Sequence, residues 1–326
     1  MFHKYDYVLA VYEEKSFTKA AAKLFISQPT LSVAIKNIEA QLGAPLFERT
    51  GSQIVPTDVG REYLAAAQRI QQIEREFSHK LGDIYGLETG SLTVGGSNYL
   101  SCYVLPKIIT RFSADHPKIA VTPVEGTSLT LAKMIENEEL DLVVDSFEGV
   151  AEQYECTPLL SERVLLCVPA EAPINKGLEK FCILPEQIQN GSINLDEVPS
   201  LSITHFAKEN FILLKSGHNM HHRAMRAFER AGITPNVLFF VDQLNISYAI
   251  CESGMGPCFV TDTFIHYSRP HENVRLYKIS EEPNRRTLYI AYKKNRYCSI
   301  AMREFIRTAQ NIVGQENNLP QKEILL

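Results

Sequence analysis

Between Ser16 and Thr50 the apolar residues recur at helical spacing in two short runs, then give way to alternation. Ala20, Ala21 and Ala22 are small enough for another helix to cross closely, and Leu24 and Phe25 are expected to anchor that crossing. Leu31, Ile35, Ile38 and Leu42 fall on one narrow arc of a 3.6-residue period, which marks the buried face of a second helix. Thr18 is placed to cap the first helix and Ser27 the second, with Pro29 in its first turn and Gly43 at its end. Ala44 to Pro56 has the length of a β-wing. Two helices and a wing in this order predict a winged helix-turn-helix over 1–58, which sets its second helix in a DNA groove. The outward arc of that helix carries Pro29, Thr30, Val33, Lys36 and Asn37, small residues with one charge.

From Thr57 to about Gly86 the period stays helical, with Leu64, Ala67, Ile70, Ile73, Phe77, Leu81 and Ile84 at three- and four-residue steps. A lone helix of ~45 Å cannot bury such a stripe, so pairing with the same helix of another subunit is expected. Residues 59–89 are therefore read as a dimerisation helix ending in a hinge, Leu87–Gly90. Beyond it the period switches. Strands at Leu92–Gly95, Ile119–Val124 and Leu142–Val144 alternate with helices at Ser101–Ala114 and Ser128–Asn137, a βαβαβ order that predicts a parallel α/β sheet. Two extended stretches follow, Tyr154–Leu160 and Val164–Val168. A second series runs through a strand at Phe211–Leu214, helix His218–Arg230, strand Val237–Val241, helix Leu244–Ser253 and strand Pro257–Thr261. Val274–Ile279, Thr287–Tyr292 and a helix Ser299–Ile312 close the chain, with 314–326 as a tail. The expected architecture is two Rossmann-like lobes over 90–313, the first about 90–168 and 270–313, the second about 169–269, with a ligand cleft between them.

Composition narrows the class. The chain has 326 residues, 45% hydrophobic and 22% charged, as an ordinary globular protein does. Its net charge of −5 argues weakly against nucleic acid, and residues 1–60 are neutral: Lys4, Lys15, Lys19, Lys23, Lys36 and Arg49 against Asp6, Glu13, Glu14, Glu39, Glu48 and Asp58. DNA binding would rest on local placement of charge and on dimerisation, with modest salt dependence. The segment MFHKYDYVLA has no apolar run of signal-peptide type, and no stretch approaches membrane-spanning length, so the expected location is the cytoplasm with no membrane contact. Seven cysteines without a C-x-x-C pair fit reduced thiols.

The order S-F-T-x-A-A-x-x-L-x-x-S-Q-P-T-L-S-x-x-I-K-x-I-E-x-x-L-G-x-x-L-F-x-R-T, followed by P-T-x-x-G at Pro56–Gly60, resembles the LysR-type transcriptional regulators. Looser cues continue the resemblance to the far end: Leu105, Pro106 and Phe112, the L-D-L-V-V run at Leu140–Val144, and S-G-M-G-P at Ser253–Pro257. The resemblance implies a regulator that binds double-stranded operator DNA as a homodimer or homotetramer and answers to a small metabolite. The DNA-contacting set is then Thr18, Ser27, Gln28, Pro29, Thr30, Ser32, Val33, Lys36, Asn37, Arg49 and Thr50. Relatives often carry a basic residue after Ser32, where this chain has Val33, another near Ser52, and Leu where Pro56 stands.

In open α/β sheets ligands bind beyond the C-terminal strand ends, where helix N-termini converge. Those positions are Ser97, Asn98, Ser101, Thr127, Ser128 and Ser146 in the first lobe, and Thr204, Ser216, His218, Asp242 and Thr261 in the second. Hydroxyls beside free N–H groups suit a small anion, although each one alone is as readily a helix cap. Asp145 and Asp242 add a place for an amino group. No catalytic residues, resident metal or cofactor are expected: the chain lacks a G-x-S-x-G elbow, a phosphate loop and H-E-x-x-H. The alternatives within the same architecture are a metal sensor using His218, His221 and His222, with His205 as a further candidate, or a thiol sensor, for which Cys251 and Cys258 lie in apolar surroundings typical of buried cysteine.

Overall fold

The computed structural model describes residues 2–50, 53–86, 90–146, 151–269, 272–281 and 285–318. Ser52, positions 87–89 of the expected hinge and 319–326 of the expected tail lie outside those residues. The chain forms two compact units, Met1–Lys80 and Leu81–Leu326.

The first unit opens with a helix that the sequence pattern did not single out, α1 (Tyr5–Glu14), which buries Val8, Leu9, Ala10 and Val11. Then come α2 (Phe17–Lys23) and α3 (Gln28–Leu42). Ser16, not Thr18, caps α2: its side chain accepts from the Lys19 N–H, and Thr18 sits exposed in the first turn. Ser27 caps α3 and Gly43 ends it with φ 72°, as expected. Leu31, Ile35 and Ile38 are buried in one core with α1, while Leu42 is half-buried. Phe25 does not anchor the crossing; it is 96% exposed. The reason is the end of α2, where the Ile26 N–H bonds the Ala21 carbonyl and the Phe25 N–H bonds that of Ala22. That pairing is a Schellman motif, which places Phe25 at φ 56° in the left-handed region and turns its ring outward.

The wing is an antiparallel pair, β1 (Phe47–Thr50) and β2 (Gln53–Pro56). The P-T-x-x-G run then starts α4 (Asp58–Ile84). Thr57 Oγ1 accepts from the Gly60 N–H at 2.9 Å and donates to the Pro45 carbonyl at 2.7 Å. A Cβ on Gly60 would lie 2.0 Å from the Leu46 carbonyl oxygen, so only glycine fits there.

The second unit is α/β, with one sheet in the order β4-β3-β5-β11-β6-β9-β7-β8 and β10 beside β6. Its first series is β3 (Gly90–Gly96), α5 (Asn98–Tyr103), α6 (Leu105–Asp115), β4 (Ile119–Glu125), α7 (Ser128–Glu136) and β5 (Leu142–Asp145). The single helix expected from Ser101 is thus two, because Pro106 in the first turn of α6 cannot supply an N–H to a continuing helix. The L-D-L-V-V run holds this half together. Asp141 accepts from the Thr93 N–H at 2.7 Å and Thr93 Oγ1 at 2.8 Å, and it pairs with Arg296.

The two extended stretches are one strand, β6 (Tyr154–Pro169), sixteen residues and ~50 Å long. It is followed by the short helix α8 (Pro185–Gln189), then β7 (Asn210–Leu214), α9 (Asn219–Arg230), β8 (Asn236–Val241), α10 (Leu244–Glu252), β9 (Cys258–Thr261) and α11 (Asp262–Tyr267). β10 (Val274–Tyr277), β11 (Arg285–Lys293) and α12 (Ile300–Asn318) complete the chain. α12 runs past the expected start of the tail at 314. β6 joins the two halves: Tyr154–Arg163 pairs with β11, whereas Val164–Cys167 pairs with β9 and Leu166–Pro169 with β10. The lobes therefore change over inside β6, and β10 belongs with the second lobe rather than with 270–313 of the first. Among the described residues no helix is long and apolar enough to cross a membrane.

Candidate functional site

Two surfaces carry chemistry, one in each unit. On the first, Pro29, Thr30, Val33, Lys36 and Asn37 all lie exposed on α3, with Ser32 half-buried beside them. Ser27 Oγ lies 2.7 Å from Thr30 Oγ1, and Gln28 Nε2 donates to Ser32 Oγ at 2.7 Å, so the start of the helix is internally braced. Arg49 and Thr50 are exposed on β1. The neutral net charge of residues 1–60 hides an asymmetry. Lys23 is tied to Glu13 at 2.7 Å and Glu14 at 3.6 Å, and Glu39 accepts from the Leu46 N–H at 2.8 Å. Those acids are thereby answered within the unit, and Lys36 and Arg49 remain on the exposed face.

The second surface is a cleft between the lobes of the α/β unit, partly open to solvent. Ser97 and Asn98 at the start of α5, Ser128 at the start of α7, His218 and Asn219 at the start of α9, and Asp242 and Leu244 before and at the start of α10 all line it. Four helix N-termini thus converge, with N–H groups that have no partner within their own helix. Two buried polar atoms of the lining, Asn98 Oδ1 and His218 Nε2, have no hydrogen-bond partner among the described residues. Burial holds His218 below the usual imidazole range despite Asp242 and Asp145 nearby, which keeps the ring neutral at pH 7.

The acids of the cleft are largely engaged. Asp145 Oδ1 accepts from Asn219 Nδ2 at 2.7 Å and from the Ser146 N–H at 2.6 Å. Asp242 meets Lys215 at 2.7 Å. In the floor, Arg286 donates to Glu162 at 2.7 Å and to Tyr99 Oη at 3.1 Å, a buried triad that the sequence reading missed because its members come from three distant elements. Arg286 lies just before the expected strand Thr287–Tyr292, beside a second arginine, Arg285, so nothing local singles it out. Contacts already cross the cleft: the Leu129 N–H donates to the Gly217 carbonyl at 3.2 Å, Gln243 Nε2 to Glu125 at 3.3 Å, and Asn219 Nδ2 to Ser146 Oγ at 2.9 Å.

Of the eleven residues expected to hold a ligand, Ser97, Asn98, Ser128, His218 and Asp242 line the cleft. The others do different work. Ser101 donates to the Gly96 carbonyl, Thr127 caps α7, and Ser146 accepts from Asn219. Thr261 is wholly buried and caps α11. Thr204 sits in a 3₁₀ turn against Ser202, and Ser216 is exposed on the turn before α9, outside the lining. The histidine set does not converge: His221 Nδ1 is 2.6 Å from the Leu214 carbonyl oxygen, and no imidazole joins a metal-ligating cluster among the described residues.

Residues 2–61 match the family model described as bacterial regulatory helix-turn-helix protein, lysR family, and 86–312 match the LysR substrate binding domain. The chain belongs to the LysR family of transcriptional regulators. An uncharacterized HTH-type transcriptional regulator of Bacillus subtilis, YcgK, is 27% identical over 310 residues, covering 95% of this chain and 94% of that one. A probable RuBisCO transcriptional regulator of Thalassiosira pseudonana is 28% identical over 287 residues, covering 86% and 87%. Among solved structures, the LysR family transcriptional regulator CbnR superposes with a TM-score of 0.61 at 18% identity, covering 95% and 98%. The effector-binding domain of QuiR in complex with shikimate superposes at 0.54 and 19%, covering 70% and 98%. At these identities the structural likeness speaks to fold. Relatives and family models alike are regulators, not enzymes.

Proposed function

We propose that this DNA-binding regulator is controlled by a small carboxylate-bearing metabolite in the cleft, one that also carries a hydroxyl or amino donor. The observation that carries the reading is the pair of buried, unpartnered atoms, Asn98 Oδ1 and His218 Nε2, facing one cleft at converging helix starts. The helix N–H groups and Ser97 and Ser128 suit the carboxylate. Asn98 Oδ1 asks for a donor, and neutral His218 offers an N–H without adding charge. Because Arg286 is neutralised by Glu162, the acid would be held by dipoles rather than by a free guanidinium. Isothermal titration against a panel of hydroxy and amino acids tests it. Binding should be lost in Asn98→Ala with His218→Ala, and folded protein that binds no carboxylate of the panel would remove the proposal.

On the DNA side the supported contacts are those of the α3 arc and the wing. On this reading Val33 meets a thymine methyl in the major groove, where a guanidinium would read guanine. Self-association has support in α4, whose apolar residues Ile73, Phe77 and Ile84 are 67%, 61% and 75% exposed. Such a stripe is covered most simply by a second copy, giving a dimer with two reading heads and, by further pairing, a tetramer. Sedimentation of Phe77→Glu, expected to shift toward monomer, checks this.

A further inference from the structure

The core of the second lobe holds three cysteines that the regulatory reading leaves unused. Cys167 near the end of β6 and Cys258 at the start of β9 face each other as register partners across the antiparallel pair. Cys251, in the last turn of α10, reaches down onto them, with its Sγ 3.6 Å from Cys167 Sγ and 3.4 Å from the Cys167 carbonyl oxygen. The three sulfurs lie within 4.8 Å of one another, and all three residues are 0% exposed. Buried cysteine commonly serves as a small apolar filler, and one such residue would call for nothing more. Three sulfurs drawn to one point, from two strands and a helix, make a preformed soft ligand set. No histidine, carboxylate or further cysteine joins them among the described residues.

We propose that Cys167, Cys251 and Cys258 form a binding site for a trivalent thiophilic metalloid of the arsenic(III) class. Charge selects the class. Three thiolates around copper(I) leave two negative charges, and around zinc one, in a site with no solvent exposure; uncompensated charge is heavily penalised there. Around a trivalent centre the complex is neutral. Zinc in structural sites also takes four ligands, and here there are three.

The exchange balances without an oxidant. Arsenous acid, As(OH)₃, exchanges three As–O bonds for three As–S bonds, and three water molecules leave. The three buried thiols each deliver their own hydrogen to a departing hydroxide, so the exchange as written releases no net proton. Affinity therefore does not rise with pH. For a divalent metal the site must release protons and affinity rises with pH. Entry requires local opening around α10, so binding is expected to be slow.

The test uses the full chain and arsenite alone, and it does not depend on the effector reading. Native mass spectrometry should show one arsenic gained and three hydrogens lost per chain. Apparent affinity should be flat or falling from pH 6 to 8. Cys167→Ala, Cys251→Ala and Cys258→Ala should each lose the three-hydrogen signature, while Cys102→Ala, at an exposed cysteine, should keep it. Thermal melts confirm that each variant is folded, and the wild-type mass measurement stands without any variant. No arsenic uptake, loss of fewer than three hydrogens, an unaltered signature in folded Cys251→Ala, or affinity that climbs with pH would each overturn the assignment.

Discussion

Arg286 on β11 and Glu162 on β6 are register partners, and their side chains meet at 2.6 Å beneath the cleft with almost no exposure. Tyr99 of α5 donates to the same carboxylate at 2.7 Å, so one ion pair ties two strands and a helix together. Breaking a buried pair strands a charge, which costs about 3–5 kcal/mol, whereas replacing both members by apolar groups is often near neutral. Glu162→Leu should therefore lower unfolding free energy in urea by about 3–5 kcal/mol, and Glu162→Leu with Arg286→Met should recover most of it. A double variant as unstable as the single one would show that the triad is held by something other than charge.

Asp262 at the start of α11 is partly buried, and desolvation pushes its carboxyl up to about 6 although the Arg163 and Thr263 N–H groups and the Arg163 guanidinium favour the ionised form. The folded state binds this proton more tightly than the unfolded chain, whose Asp titrates near ~3.9. Stability from this group is therefore present below about pH 4 and is lost as pH rises toward 6. The difference between about 4 and about 6 amounts to about 3 kcal/mol. Asp262→Asn keeps an acceptor for both N–H groups and removes the titration. The wild-type minus variant difference in unfolding free energy should fall by about that amount between pH 4 and 6.5. A flat difference would count against burial as the dominant effect.

What could be read beforehand follows from where the information is stored. The α3 face, the wing and the alternating strands were legible because periodicity and caps are local: Leu31, Ile35 and Ile38 are buried, and Ser27 and Gly43 end the helix. Phe25 was misplaced because a Schellman turn, not the apolar period, decides its direction. α1 went unnoticed because its burial depends on α3 and α4. Half of the cleft was legible from strand ends, since Ser97, Ser128 and Asp242 follow that rule. Arg286 and Glu162 were not, because their pairing is a matter of register between strands more than a hundred positions apart. Thr204 and Thr261 failed for the opposite reason, as a hydroxyl at a helix start is satisfied locally whether or not a ligand is near.

Phe25 holds a left-handed backbone that glycine adopts freely. For an L-residue that conformation costs roughly 1–2 kcal/mol. Phe25→Gly should stabilise the first unit by about 1 kcal/mol in thermal or urea unfolding, since the exposed ring contributes little packing. Unchanged or lowered stability would mean that the ring has a partner in solution.

Gly60 has the opposite constraint. A Cβ there meets the Leu46 carbonyl oxygen at 2.0 Å, a backbone atom that cannot swing aside. Gly60→Ala should cost about 2–3 kcal/mol, of the size seen for overpacking, despite alanine's better helix propensity. Because the clash displaces the wing from α4, operator affinity should fall with it. Full operator affinity in a folded Gly60→Ala protein would show that the wing position does not matter for binding.

Lys36 and Arg49 are the cations left on the exposed α3 and wing faces, and each is expected to neutralise one phosphate. Removing either should weaken binding to all sequences alike and reduce the slope of log K against log salt by about 0.9. Val33 differs, because its contact is with a base. Val33→Arg should raise affinity and shift preference toward guanine at one position of each half-site, by about 1–3 kcal/mol against the wrong base. Selection from randomised operators reads both effects together. If Val33→Arg left the selected sequence unchanged while Lys36→Ala altered it, the roles of the two residues would have to be exchanged, with the lysine reading the base and the valine arc turned toward the backbone.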